Sequence, residues 1–285
     1  MVCVLDQPAS IMTGTHMEKK SRVAGWGWET MEAVVITGGS SGIGEALIVS
    51  ILNYNPSVLI FNLSRTKPKD ERVVHISCDL SDRESITGVF PVLEKKLQNI
   101  KGKLLLINNS GYGRYGAFPS PTWEDLRDMV QVNLVAPMEL TARMLPLLLA
   151  NGGGVMNVSS LAGFQPTPFF GVYGASKSFL LHWSLCLRQE YRKHGLRVLA
   201  VCPGPTATGF FRAAGFSEQV NAPSGSGQAS IVAKQACEAW MKDKPLVVTG
   251  FRNKLVALLA GSMPRAWSAR LAEKVMRSHR LDHLQ

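Results

Sequence analysis

Two residues of this sequence have the types and the spacing for acid–base chemistry. Tyr173 and Lys177 stand four positions apart in "VYGASK". Four residues make about one helical turn, so a helix puts both side chains on one face. A free tyrosine titrates at about 10, too high for an easy change of role at neutral pH. An ammonium group nearby favours tyrosinate and lowers that value. A phenol tuned this way gives a proton in one direction and takes it back in the other. The same two residues also fit an aromatic at an interface beside a solvated lysine. The remainder of the chain decides between them.

A glycine-rich turn, "TGGSSGIG", lies between a β-branched run and an amphipathic segment. Its glycines, Gly38, Gly42 and Gly44, are spaced G-x-x-x-G-x-G, with Ser40, Ser41 and Ile43 in the same turn. Glycines let the backbone approach a pyrophosphate, and the helix that follows offers unbonded N–H groups and a positive dipole end. Placed after a first strand, the turn reads as a dinucleotide site. Enzymes that use NAD carry an acid about twenty residues onward, at the end of the second strand. That place reads "NLSRT", with no acid. Ser64 can hydrogen-bond a 2′-phosphate and Arg65 can pair with it. The reading is therefore NADP(H) in preference to NAD(H).

These groups meet only if the intervening chain folds back repeatedly. From Met31, short β-branched runs alternate with longer amphipathic segments. "AVVIT", "SVLIFNLS", "RVVHISC", "KLLLINN", "GGVMNVSS", "LRVLAVC" and "PLVVT" read as strands, and the segments between them as helices. Ser81 is positioned to cap the helix through "SITGVFPVLEKKLQN". Runs that are apolar on both faces imply a covered sheet, and strand–helix alternation implies parallel order. The expected fold is α/β, a Rossmann-type doubly wound, mainly parallel seven-stranded sheet with helices on both faces. Residues 1–30 lack periodicity and read as an extension, disordered or foreign to the native start. Residues 31–250 form the domain, with 204–228 as a lid over the site. Residues 251–285 add amphipathic helices.

The chain has 285 residues, 46% hydrophobic and 18% charged, and a formal charge of +10. That suits a globular protein large enough for one sizeable domain. The richest apolar run, "NLVAPMELTARMLPLLLA", is broken by charges and prolines, so no transmembrane segment is expected. The five cysteines show no C-x-x-C pair, which argues against a metal site or disulfide framework and for a reducing cytoplasm. Part of the positive excess sits in Arg252, Lys254, Arg265, Arg270, Lys274, Arg277 and Arg280. It is read as a solvated helix face in preference to peripheral membrane contact, and nucleic-acid binding is not expected.

The ordered set "TGGSSGIG", "CDLSD", "NNSG", "QVNL", "VSS", "YGASK" and "CPGPTAT" resembles the short-chain dehydrogenase/reductase family. "CPGPTATGFF" and the "FRNKL" tail are similar to a bacterial, DltE-like branch, and the Tyr173 helix is similar to ketoacyl and steroid reductases. The resemblance implies that Asp79 and Leu80 border the adenine and that Asn109 and Gly111 lie along the cofactor. It implies that Pro203, Gly204, Thr206 and Thr208 hold the nicotinamide end. Asn133, Ser160, Tyr173 and Lys177 fall on the family's catalytic positions. Ser160 is preferred to Ser159 because it stands thirteen residues before the tyrosine. Under that resemblance Tyr173 is acid or base, Ser160 donates to the substrate oxygen, Lys177 also binds the nicotinamide ribose and Asn133 holds a proton-relay water. The sequence departs from the family pattern at Ser41, Ser110 and Cys202. The implied activity is hydride exchange between NADP(H) and an apolar carbonyl or alcohol in a homodimer or homotetramer. Phe164, Phe169, Phe170, Phe210 and Phe211 would flank the site. The alternative is a non-catalytic NADP(H)-binding sensor or scaffold, for which a proton chain would be unnecessary.

Overall fold

The computed structural model describes residues 26–216 and 226–278. Seven strands build the central sheet: β1 (Met31–Thr37), β2 (Leu59–Ser64), β3 (Val73–Ser77), β4 (Lys103–Asn108), β5 (Gly154–Val158), β6 (Arg197–Cys202) and, last in the chain, β9 (Leu246–Val248). Their order is β3-β2-β1-β4-β5-β6-β9, and every pairing is parallel. The chain reverses direction across the sheet between β1 and β4. Ligands of doubly wound sheets bind at such a switch point, beyond the carboxyl ends of the strands.

Both faces of the sheet are dry because β1 and β4 are apolar at consecutive positions. Ala33, Val35, Leu104 and Leu106 face α2 (Arg83–Leu97), α4 (Ala136–Ala150) and α5 (Gly171–Tyr191), meeting Ile86, Leu93, Leu140, Met144 and Leu187. Val34, Ile36, Leu105 and Ile107 face the other way. They meet Leu47 and Ile51 of α1 (Gly42–Tyr54) and Ala236 and Trp240 of α7 (Ala229–Met241). The helix α3 (Trp123–Val130) runs through a wider π turn at Gln131–Val135 into α4. This continuous helix, Trp123–Ala150, is long and apolar enough to cross a membrane by length and composition. Here Val132, Leu140, Met144 and Leu148 belong to the core under the sheet.

Two expectations change. The extension does not end at residue 30. Trp28 is 1% exposed, its indole donates to the Cys237 carbonyl, and Asn55 Nδ2 donates to the carbonyls of Trp28 and Met31. Trp26 meets Trp240 edge-on with ring centroids 5.8 Å apart. Aromatic anchors need no periodicity to bury area. Residues 1–25 lie outside the described residues. At α2 the cap is Asp82, which accepts from the Glu84 N–H, while the Ser81 N–H and hydroxyl both donate to Asp79 Oδ1.

Candidate active site

The glycine turn joins β1 to α1 at the switch point. Gly38 and Gly42 have φ of +68° and +59°, a region that side chains other than glycine rarely enter. Gly44 is closed by space instead. A Cβ there would lie 2.2 Å from the Gly38 carbonyl oxygen and 2.5 Å from Asn109 Nδ2. Ser41 stands at the start of α1 with no side-chain bond to the helix, so the first N–H groups are left to an external acceptor. Ser40 is half-buried, and Ile43 packs on the core below. The turn is braced from two strands. Asn62 Oδ1 accepts from the Gly39 N–H at 2.7 Å, and the Asn109 amide donates to the carbonyls of Thr37 and Gly38.

The end of β2 differs from expectation. The Ser64 hydroxyl accepts from Asn62 Nδ2 and gives its proton to the Thr66 carbonyl, each at 2.7 Å. A hydroxyl has one proton, so Ser64 has none left for a phosphate, and its part in holding one is withdrawn. Arg65 is available: its side chain is 77% exposed, and its ion pair with Asp79 is a loose 3.9 Å contact. Asp79 is fixed in turn by Ser81, whose hydrogen bonds are the main reason its carboxyl titrates below the usual range. Leu80 is buried beside it.

The polar groups converge at the ends of β4, β5 and β6. Ser159 is buried and its hydroxyl donates to the Lys177 carbonyl at 2.6 Å. Ser160 accepts from the Ala162 N–H at 3.1 Å, and its hydroxyl also meets the Tyr173 phenol. Lys177 is buried and donates from Nζ to the Val158 carbonyl at 2.9 Å, with its ammonium 5.8 Å from the centre of the Tyr173 ring. Burial lowers the Lys177 pKa to about 8. Burial also pushes Tyr173 up to about 12, and the Ser160 hydroxyl pulls it back only in part. Lysine therefore does not depress the phenol in the chain alone. Desolvation of the phenol wins, and Tyr173 keeps its proton at physiological pH.

Asn133 sits inside the π turn, fully buried. Its carboxamide accepts from the Tyr112 N–H at 3.1 Å and donates to the Tyr112 carbonyl at 2.9 Å and to Ser176 Oγ at 3.0 Å. Ser176 gives its own proton to the Tyr173 carbonyl. The side chain is thus engaged in pinning the α5 turn that carries Tyr173, and a relay water would have to use main-chain oxygens of the π turn. Gly111 lies between these groups: a Cβ there would stand 2.9 Å from Lys177 Nζ and 3.1 Å from Asn133 Oδ1. Gly111→Ala is expected to displace the pinned ammonium and lower turnover by about 10²-fold, the scale of a 1 Å misplacement. Steady-state kinetics beside an unchanged thermal midpoint check this.

The segment after β6 closes the site. The Pro203 carbonyl accepts from the Leu161 N–H at 2.8 Å, tying it to the Ser160 turn. Gly204 lies against Asn253, and Thr206 Oγ1 donates back to the Gly204 carbonyl. The Thr208 methyl faces Gly42, where an added Cβ would be 3.2 Å away, so this segment reaches the glycine turn. β7 (Thr206–Ala207) pairs with β8 (Gly227–Gln228), and α6 (Phe210–Ala213) lies between them in the chain. Of the expected lid 204–228, residues 217–225 lie outside the described residues.

These side chains come from the segment that decides the family. Residues 32–218 match the family model described as short chain dehydrogenase. The chain belongs to the short-chain dehydrogenase family. It is 31% identical over 186 residues to the ketoacyl reductase HetN of Nostoc, covering 61% of this chain and 63% of that protein. It is 29% identical over 273 residues to the probable short-chain type dehydrogenase/reductase VdlC of Helicobacter pylori, covering 87% and 99%. A short-chain dehydrogenase of Burkholderia cenocepacia, solved in complex with NADP, superposes with a TM-score of 0.70 at 24% identity over 85% of this chain and 97% of that one.

Around Asn133, Ser160, Tyr173 and Lys177 the wall is aromatic. The Tyr173 ring has Phe170 at 4.4 Å and Phe210 at 5.3 Å between centroids, and only 7% of the residue is exposed. Phe169 and Phe211 belong to the same cluster. Phe164 does not: it packs against a separate cluster of Leu181, Ala200 and Cys202. Tyr115, Phe216 and Met276 take part instead. The Tyr115 and Phe216 rings meet tilted, with centroids 4.7 Å apart. Nothing in the local sequence near these three marks them. Asn62 was also missed, although a polar residue inside "LIFNLS" is a readable signal, since buried amides are retained where they have partners.

Proposed function

We propose that the chain is an NADP(H)-dependent oxidoreductase that moves a hydride between the nicotinamide and the carbon of a carbonyl or secondary alcohol, with Tyr173 as general acid and base. The observation that carries this reading is the convergence of a buried phenol, the Ser160 hydroxyl that meets it and a buried ammonium below the glycine turn. The turn fits a dinucleotide, because its tight positions admit no side chain where a pyrophosphate must approach. Gly38 to Gly44, Asn109, Gly111 and the 203–208 segment would line it, and Arg65 would meet the 2′-phosphate. When bound, the cofactor supplies the hydride.

The protein's own residues handle the proton. Ser160 donates to the substrate oxygen as negative charge grows there. Tyr173 passes its proton to that oxygen in reduction, and a phenol raised to about 12 stays protonated until the oxygen is basic enough to take it. Lys177 stabilises the tyrosinate left behind and holds the ribose. Asn133 positions the helix turn beneath them. The aromatic wall favours an apolar substrate. The ketoacyl reductase name of HetN and the NADP complex of the Burkholderia structure support the same reading. A homodimer or homotetramer through the outer faces of α4 and α5 is part of the proposal, with the half-exposed Phe179 stacked on Trp183 at 6.2 Å. So is a reducing cytoplasm.

The test is NADPH and NADH oxidation against a panel of 3-oxoacyl thioesters, steroid ketones and aromatic carbonyls. NADPH-dependent turnover is expected with at least one class, and tight NADPH binding with no turnover across the panel would oppose the reading. Arg65→Ala is expected to raise the NADPH KM about tenfold, the low end for a charged contact by an exposed side chain, and to leave the NADH KM alone. An unchanged cofactor preference would take Arg65 out of the role.

A further inference from the structure

The last two helices, α8 (Phe251–Ser262) and α9 (Arg265–Ser278), carry an apolar stripe on the side that faces away from the protein. In α8, Ala257 and Ala260 are buried and Asn253 abuts Gly204. At 100° per residue, Phe251, Leu255, Leu258 and Leu259 fall on the opposite side. All four are exposed, Phe251 at 83% and Leu258 at 67%. In α9, Ser268 and Ala272 are buried while Trp267, 65% exposed, and Leu271 stand outside one turn apart. A surface helix ordinarily turns polar residues outward. These helices turn large apolar ones outward, which removes the basis for reading them as a simple solvated face.

Cations border the stripe. Arg252 and Lys254 fall on its two sides in α8, and Arg270 and Lys274 lie beside it in α9. Among the described residues none of these four meets a carboxylate. The one acid in the two helices, Glu273, is paired with Arg277 at 2.9 Å. A second copy is a poor occupant, because a two-fold contact would set unpaired cations against their own copies. An acidic protein answers the charge but offers no apolar bed for a phenylalanine and a tryptophan. A bilayer with anionic lipids answers both: acyl chains for the stripe, phosphates for the cations, and an interface where tryptophan is favoured.

We propose that α8 and α9 dock this protein peripherally on anionic membrane surfaces, the apolar stripe entering the acyl boundary and the four unpaired cations meeting lipid phosphates. The docked face adjoins the candidate site. Tyr115 OH donates to the Met276 carbonyl at 3.5 Å, and the Arg277 guanidinium lies 4.7 Å from the centre of the Phe169 ring. Docking thus sets the aromatic wall close to the lipid surface, and it is independent of whether Tyr173 acts as proposed.

The full chain is co-sedimented with phosphatidylcholine vesicles, with and without phosphatidylglycerol. Binding is expected only with phosphatidylglycerol and is expected to fall with salt. Lys254→Gln with Arg270→Gln is expected to weaken it about 30-fold, at about 1 kcal/mol for each charge. Phe251→Ser with Trp267→Ser is expected to weaken it more than about tenfold. Both pairs are exposed, and unchanged thermal midpoints confirm folding. No binding to anionic vesicles, equal binding to both compositions, or full binding by either double variant would overturn the proposal. So would lipid-free self-association that Phe251→Ser with Trp267→Ser abolishes, since the face would then belong to a second copy.

Discussion

Tyr173→Phe is expected to lower carbonyl reduction by about 10²- to 10⁴-fold, the contribution of a positioned general acid. NADPH affinity is expected to stay within about twofold. The substitution isolates the hydroxyl. The ring packs between Phe170 and Phe210 through its faces and edges, and phenylalanine keeps those contacts. The helix turn is held by Ser176 on the Tyr173 main chain, which the change does not touch. Ser160 loses one neighbour and keeps its bond from Ala162. Lost turnover with intact cofactor binding therefore reports the proton alone. Single-turnover kinetics and NADPH fluorescence titration check the two halves separately. A variant with full turnover would show that the proton comes from elsewhere, with Ser160 or solvent as the next candidates.

The reason this effect should be large lies in a feature that the sequence conceals. Spacing places Tyr173 and Lys177 on one face, and that is observed. Spacing says nothing of the two phenylalanines that dry the phenol, one three residues earlier and one thirty-seven residues later in α6. Charge proximity alone predicts a lowered tyrosine pKa, whereas burial raises it to about 12. The glycine turn was legible because its constraints are local: positive φ at Gly38 and Gly42 needs glycine wherever the chain goes next. The strands were legible because doubly covered strands carry apolar residues on both faces, as in β1 and β4. Ser64 was misread because a hydroxyl's partner is a geometric matter: Asn62 and Thr66, each two residues away, claim it. Trp28 was misplaced because a lone indole anchored against Cys237 leaves no periodic trace. Phe164 and Tyr115 exchange places for a related reason. Which aromatic reaches a site across the fold depends on loop paths, and composition does not encode them.

Lys177→Met is expected to lower kcat/KM for reduction by about 10²- to 10³-fold, as an electrostatic stabiliser of the tyrosinate is lost, and to change how stability depends on pH. The sign follows from proton counts. Burial lowers the folded-state pKa of Lys177 to about 8 from 10.5. Between these values the folded protein has released a proton that the unfolded chain still holds, so stability rises with pH across that window. Below it, the wild type carries the full cost of a buried cation, eased only by the Val158 carbonyl. Methionine has no proton to release. The unfolding free energy of the wild type is therefore expected to gain on that of the variant from about pH 8 upward, by about 3 kcal/mol over the whole window. The comparison must be a difference. Cys202 and Cys237, pushed up to about 12 by burial, hold their protons in the folded state and pull stability downward above pH 9. Urea unfolding of both proteins at several pH values reads the difference directly. A gap between them that does not move with pH would mean that Lys177 is not desolvated as the structure places it, and its ammonium would then be too well hydrated to steady a tyrosinate.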